Sequence, residues 1–192
     1  MRTARNTAKT GVSPHALRTM GAPGVMARAG LWSALGFVFN LTWEIAHVRL
    51  YTIWAEADGM GIAWALLHCS LGDVVIALAM FALAGLALSR ADWPASRPWR
   101  GGVIVVIGAM AFTACSEWYN VYRAGNWAYA ASMPKIFGIG LSPLLQWLIV
   151  PPVMVLAYRT LEPLLFGRVA FRPCQAIGER AAAAAEVRAA QE

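Results

Sequence analysis

The sequence predicts an all-α fold: a polytopic integral membrane protein with four transmembrane helices in a bundle and both termini cytoplasmic. Three observations point there. Of 192 residues, 59% are hydrophobic and 14% charged, against about 25% charged in an average soluble domain. Four apolar stretches each come near the ~20 residues that cross a bilayer. The basic residues gather in the two tails and one loop, as cytoplasmic flanks do. The net charge of +6 therefore reads as topology, and nucleic acid is not an expected partner. Only Lys9 and Lys135 are lysines; the Arg/Ala bias points to a high-GC bacterial genome and hence a cytoplasmic (inner) membrane.

Residues 1–29 carry Arg2, Arg5, Lys9, Arg18 and Arg28, no acids, and the helix breakers Pro14, Gly21, Pro23 and Gly24. This composition predicts a basic, disordered cytoplasmic tail on anionic lipid. A four-helix membrane domain over 30–158 follows. Its first span covers about 31–50, where Asn40, Glu44, His47 and Tyr51 repeat at i, i+4, i+7 and i+11 and share one helix face. Glu56, Asp58, Gly59 and Gly61 then make a turn.

The second span covers 62–88. Its first half carries His68, Cys69, Ser70 and Asp73; its second half is rich in alanine. After a loop with Arg90, Asp92, Arg97 and Arg100, the third span runs over 102–119 and ends on a polar stripe of Thr113, Glu117 and Asn120. Residues 120–135 read as an interfacial loop or short surface helix. The fourth span, 137–158, holds Pro143, Gln146 and the pair Pro151-Pro152, which should kink it. Residues 159–192 form a cytoplasmic tail with a surface segment and an Ala-rich helix.

With four spans, every Lys and Arg except Arg49, Arg123 and Lys135 lies on one side, which the positive-inside rule makes cytoplasmic. At 1.5 Å per residue, Glu44, His68 and Glu117 then share a depth of roughly 20 Å from the inner face. His47, Asn120 and Gln146 join that layer, and Asp73 lies nearer the middle. An ionisable group in hydrocarbon costs about 2.5–3.5 kcal/mol, so this outer-half layer needs partners or a task.

Four tasks compete. Glu44, His47, His68 and Glu117, with Asp73 a weaker fifth, could hold one divalent metal ion. Glu44-x-x-His47 resembles half of the carboxylate pattern of di-iron bundles, although Glu117 is followed by Asn120 where that pattern has His. The same four residues could instead do metal-free acid–base chemistry on a lipid-like substrate, with His68 or His47 as base and a glutamate as acid. Trp43, Trp118, Trp127, Trp147, Asn120 and Gln146 would then line a pocket for a hydrophobic small molecule. Glu and His in one membrane half, with Gln146-Trp147 and later prolines in the last span, is similar to the emopamil-binding sterol isomerase group. The likeness rests on scattered residues and implies acid–base work on an isoprenoid-like substrate. Ion or proton conduction is disfavoured by the dry inner half. The fourth task is interhelical glue in a non-enzymatic assembly factor or small subunit bound to a membrane-protein partner. Cys69, Cys115 and Cys174 form no disulfide framework.

Overall fold

A computed structural model describes residues 23–167. The tail calls on 1–22 and 168–192, including the Ala-rich helix, lie outside the described residues. Four long helices dominate: α1 (Val25–His47), α3 (Gly59–Leu88), α5 (Pro98–Tyr119) and α6 (Leu141–Phe166). The short helices α2 (Ile53–Glu56) and α4 (Trp93–Ser96) sit in the first two connections. Helices α1 and α5 each pack against both α3 and α6. Among the described residues, three helical stretches are long and apolar enough to cross a membrane: 59–88, 98–124 and 141–166. Helix α1 is not one of them, because Arg28, Asn40, Glu44 and His47 dilute its apolar run.

Local chemistry sets most boundaries. The Asp58 carboxylate accepts from the Gly61 amide at 2.8 Å and starts α3. Ser89, in the left-handed region, ends it. Proline at the first turn opens α5. A π-turn over Asn120–Ala124 closes α5, with Gly125 at φ +66° beyond it. A two-residue antiparallel hairpin, β1 (Lys135–Ile136) and β2 (Ile139–Gly140), then leads into α6.

The helices overrun the apolar stretches. Helix α1 begins at Val25 rather than 31, with Arg28 half-buried inside it. Helix α6 begins at Leu141 rather than 137, because the hairpin occupies the residues between. It passes Pro151, Pro152 and Pro163 without a break and reaches Phe166, so Arg159 and Glu162 belong to a helix rather than to a tail.

The core sits at the end of the helices opposite the Glu44 layer. Trp32, Phe81, Trp93 and Tyr158 are buried together, Trp32 and Trp93 meeting edge to face at 5.2 Å. Both indoles are satisfied by α3: Trp32 donates to the Ala77 carbonyl at 3.0 Å and Trp93 to the Phe81 carbonyl at 3.1 Å. A Cβ at Gly101 would overlap the Trp93 ring, so glycine is what lets α5 approach. This half is not wholly apolar: Glu162 is buried there beside Tyr158, a feature the apolar pattern hides.

Candidate functional site

Helix α1 ends at His47, and a 3-10 turn over Val48–Leu50 swings the chain back. Backbone hydrogen bonds then stitch this turn to the loop after α5: Thr52 donates to Ala128 at 3.0 Å and Ala130 to Leu50 at 2.9 Å. The stitch brings Tyr51 and Tyr129 together over the end of α5. Tyr129 donates to Glu117 at 2.6 Å, and the Tyr51 hydroxyl lies 3.4 Å from both Glu117 oxygens. Glu117 is 7% exposed. Burial, followed by the negative charge of Glu117, pushes the Tyr51 phenol above its ordinary range. For Tyr129 the causes are burial and the hydrogen bond to Glu117.

His47 is buried one turn beyond Glu44. Its Nδ1 shares a 2.9 Å hydrogen bond with Ser142 Oγ at the start of α6. Its Nε2 lies 3.1 Å from Glu44 Oε2, at an angle that does not complete a hydrogen bond. The Trp127 indole nitrogen is likewise buried beside Glu117 with no completed hydrogen bond. Two residues with an imperfectly bonded ring nitrogen, His47 beside Glu44 and Trp127 beside Glu117, thus stand at the edge of one space.

That space is a cavity of about 590 Å³ among α1, α3, α5 and α6. Glu44, His47, His68, Glu117 and Asp73 all line it, as do Gln146, Trp127 and Trp147. Of the other expected pocket residues, Trp43 packs against the core, Trp118 is half exposed, and Asn120 holds the π-turn. The Asn120 amide donates to the Ser116 carbonyl at 2.8 Å, and its oxygen accepts from Asn126 at 2.6 Å.

No protein family, curated protein or solved structure matches this chain. The function therefore has to come from the cavity itself.

The lining residues do not gather as metal ligands. Among the described residues, no three of His, Cys, Asp and Glu are grouped to hold an ion. Glu44 pairs with His47, Glu117 is engaged by two phenols, His68 stacks on Trp64 at 6.3 Å, and Asp73 accepts from Gln146. These residues thus reach one cavity but separate walls.

Asp73 belongs to a second network. Gln146 on α6 donates to Asn40 Oδ1 on α1 at 2.8 Å and to Asp73 Oδ2 on α3 at 2.7 Å. Asn40 donates in turn to the Gly36 carbonyl at 2.8 Å. Three helices are tied by one side-chain amide. Sequence reading did not find Tyr51 and Tyr129 as partners of Glu117, nor Ser142 as the partner of His47. Tyr51 lay on the stripe with Glu44 and His47 and offered a signal; Tyr129 and Ser142 offered none.

Proposed function

We propose that this is a four-span inner-membrane protein with cytoplasmic termini, whose outer-half cavity binds a lipid-like molecule and does acid–base chemistry on it. The observation that carries this reading is the His47 imidazole: 5% exposed, tied at Nδ1 to Ser142 and 3.1 Å from Glu44 at Nε2, in a residue that lines a large, mostly apolar space. A volume of about 590 Å³ falls within the roughly 300–1,000 Å³ of small-molecule pockets. The apolar body of a ligand would lie against Ile76, Trp64 and Trp147, with its polar end toward Glu44, His47 and Glu117. His47 is then the base, and Glu44 orients it. Glu117, which accepts from Tyr129, is the acid in its protonated form. Ser142 does not line the cavity and acts only by fixing the imidazole ring. The topology rests on charge: Arg90, Arg97, Arg100 and Arg159 lie at one end of the helices, and Arg49, Arg123 and Lys135 at the other.

The test is native mass spectrometry of protein extracted in mild detergent, comparing the parent with His47→Ala and Glu117→Gln. The parent should retain one lipid-like species that both variants lose. An identical lipid complement in all three would overturn the reading. Near-stoichiometric metal in the parent, lost in a Glu44→Ala/His47→Ala variant, would replace it with a metal site on that pair.

A second reading has its own support. The Asn40–Gln146–Asp73 network crosses three helices with its amide donors used, as glue does. In a non-enzymatic assembly factor the whole polar layer would serve that purpose.

A further inference from the structure

The walls of the cavity are unequal. On α1 and α6, the lining residues His47, Val48, Gln146 and Trp147 are buried. On α3 they are not. Trp64, His68 and Gly72 are spaced i, i+4 and i+8, so they form one stripe of that helix. All three line the cavity and all three are exposed, Trp64 by 67%. A Cβ built on Gly72 meets no atom within 4 Å. The cavity therefore has an edge on α3, flanked by the stacked pair Trp64 and His68 and left clear at Gly72.

The height of this edge decides what it faces. Gly72 lies ~20 Å along a helix ~45 Å long, near its middle. Leu67, Leu71 and Val75 beside the stripe are exposed apolar residues. In a spanning helix, such a position faces hydrocarbon rather than water.

The charge of the lining decides the polar end of the ligand. Glu44, Glu117 and Asp73 are all present, and among the described lining residues none is Lys or Arg. A phosphate would face three carboxyl groups with no fixed cation to pair with, His47 being already paired with Glu44 and His68 standing at the exposed edge, inside a low-dielectric site where repulsion is poorly screened. A hydroxyl can donate to a carboxylate and accept at the same time.

Resting on the lipid-like reading above, we infer that the cavity is loaded sideways from the bilayer through a portal on α3 at Trp64, His68 and Gly72. The molecule that uses it is a long-chain amphiphile whose head donates hydrogen bonds and bears no phosphate. His68 stands at the portal rather than at the reacting end.

Two photoreactive probes test both halves. The protein is placed in phosphatidylcholine nanodiscs doped with hexadecanol carrying a diazirine on its chain, or with the phosphate monoester of the same molecule. After illumination, labelling is mapped on the segments around Ile76 and 143–147, where the chain of the ligand is placed. The alcohol should label the parent about tenfold more than the phosphate does. Gly72→Trp should cut alcohol labelling by a similar factor. Gly102→Trp, where a Cβ also meets nothing within 4 Å but which does not line this cavity, should leave it unchanged. Equal labelling by the phosphate overturns the head-group assignment. Undiminished labelling of Gly72→Trp overturns the portal. Absence of labelling in the parent by either probe overturns the binding reading on which both rest. Should Gly72→Trp fail to fold, Gly72→Leu carries the same expectation at smaller size.

Discussion

Two polar clusters sit one helical turn apart on α1 and are built in opposite ways. The Asn40 cluster is closed: both amide hydrogens of Gln146 are used, one on Asn40 and one on Asp73, and Asn40 returns its own amide to the backbone. The Glu44 cluster is open: His47 Nε2 meets Glu44 at 3.1 Å without hydrogen-bond geometry, Trp127 Nε1 completes no hydrogen bond, and both residues line the cavity. Evolution can hold helices together with the first arrangement at no cost in unsatisfied groups. The second leaves such groups, and a protein with no ligand for them would be better served by leucine. Closure distinguishes glue from site even where residue types and depth are the same.

The largest expected effect tests the closed cluster. Gln146→Leu strands the Asn40 oxygen and the Asp73 carboxyl in apolar surroundings, and stability in detergent should fall by about 1–3 kcal/mol. A change below about 0.5 kcal/mol would show that these hydrogen bonds do not hold the helices. The open cluster should respond the other way. His47→Ala and Glu117→Gln should cost less than about 1 kcal/mol of stability. Their retention of the bound molecule should fall about tenfold, equivalent to about 1.4 kcal/mol of binding. Should His47→Ala instead unfold the protein while ligand retention per folded molecule stays constant, the two clusters are both glue and the contrast collapses.

Alkaline titration sharpens the contrast further, because the phenols belong only to the open cluster. A phenol whose folded pKa lies above its unfolded value contributes stability that is complete below pH ~10 and lost as the pH rises through that value toward the folded pKa. Tyr51 and Tyr129 are both shifted in that direction. The melting temperature of the parent should therefore fall more steeply above pH ~10 than that of a Tyr51→Phe/Tyr129→Phe variant. Parallel curves would separate these phenols from the carboxylate. The smallest effect is expected outside both clusters. Arg90 meets Asp92 at 3.1 Å in an exposed loop, and Arg90→Ala should change stability by less than ~0.5 kcal/mol.

Much of this contrast was hidden from the sequence. The helical class and the positions of the apolar stretches were legible, because 3.6-residue periodicity and hydropathy are local properties. The Asn40–Glu44–His47 stripe was legible for the same reason. Its division into a closed and an open part was not, since that depends on Gln146 reaching across from another helix. The phenols over Glu117 depend on a backbone stitch between residues 50–52 and 128–130, a pairing of loops that no periodicity announces. His68 does reach the cavity, but the rotation of α3 puts it at an exposed edge. Helix α1 starts at Val25, directly after the last breaker Gly24, and carries Arg28, which the sequence reading counted with the basic tail.

The indoles of Trp32 and Trp93 grip two carbonyls of α3 one turn apart, at Ala77 and Phe81. They thereby fix the phase of that helix as well as its position. Everything on α3 N-terminal to them inherits its azimuth from these two bonds: one residue inserted between Gly72 and Ala77 would leave the C-terminal half in register and turn the proposed portal stripe by about 100°. The spacing from Gly72 to Ala77 is thus a dimension of the site, set by a residue, Ala77, that does not itself line the cavity.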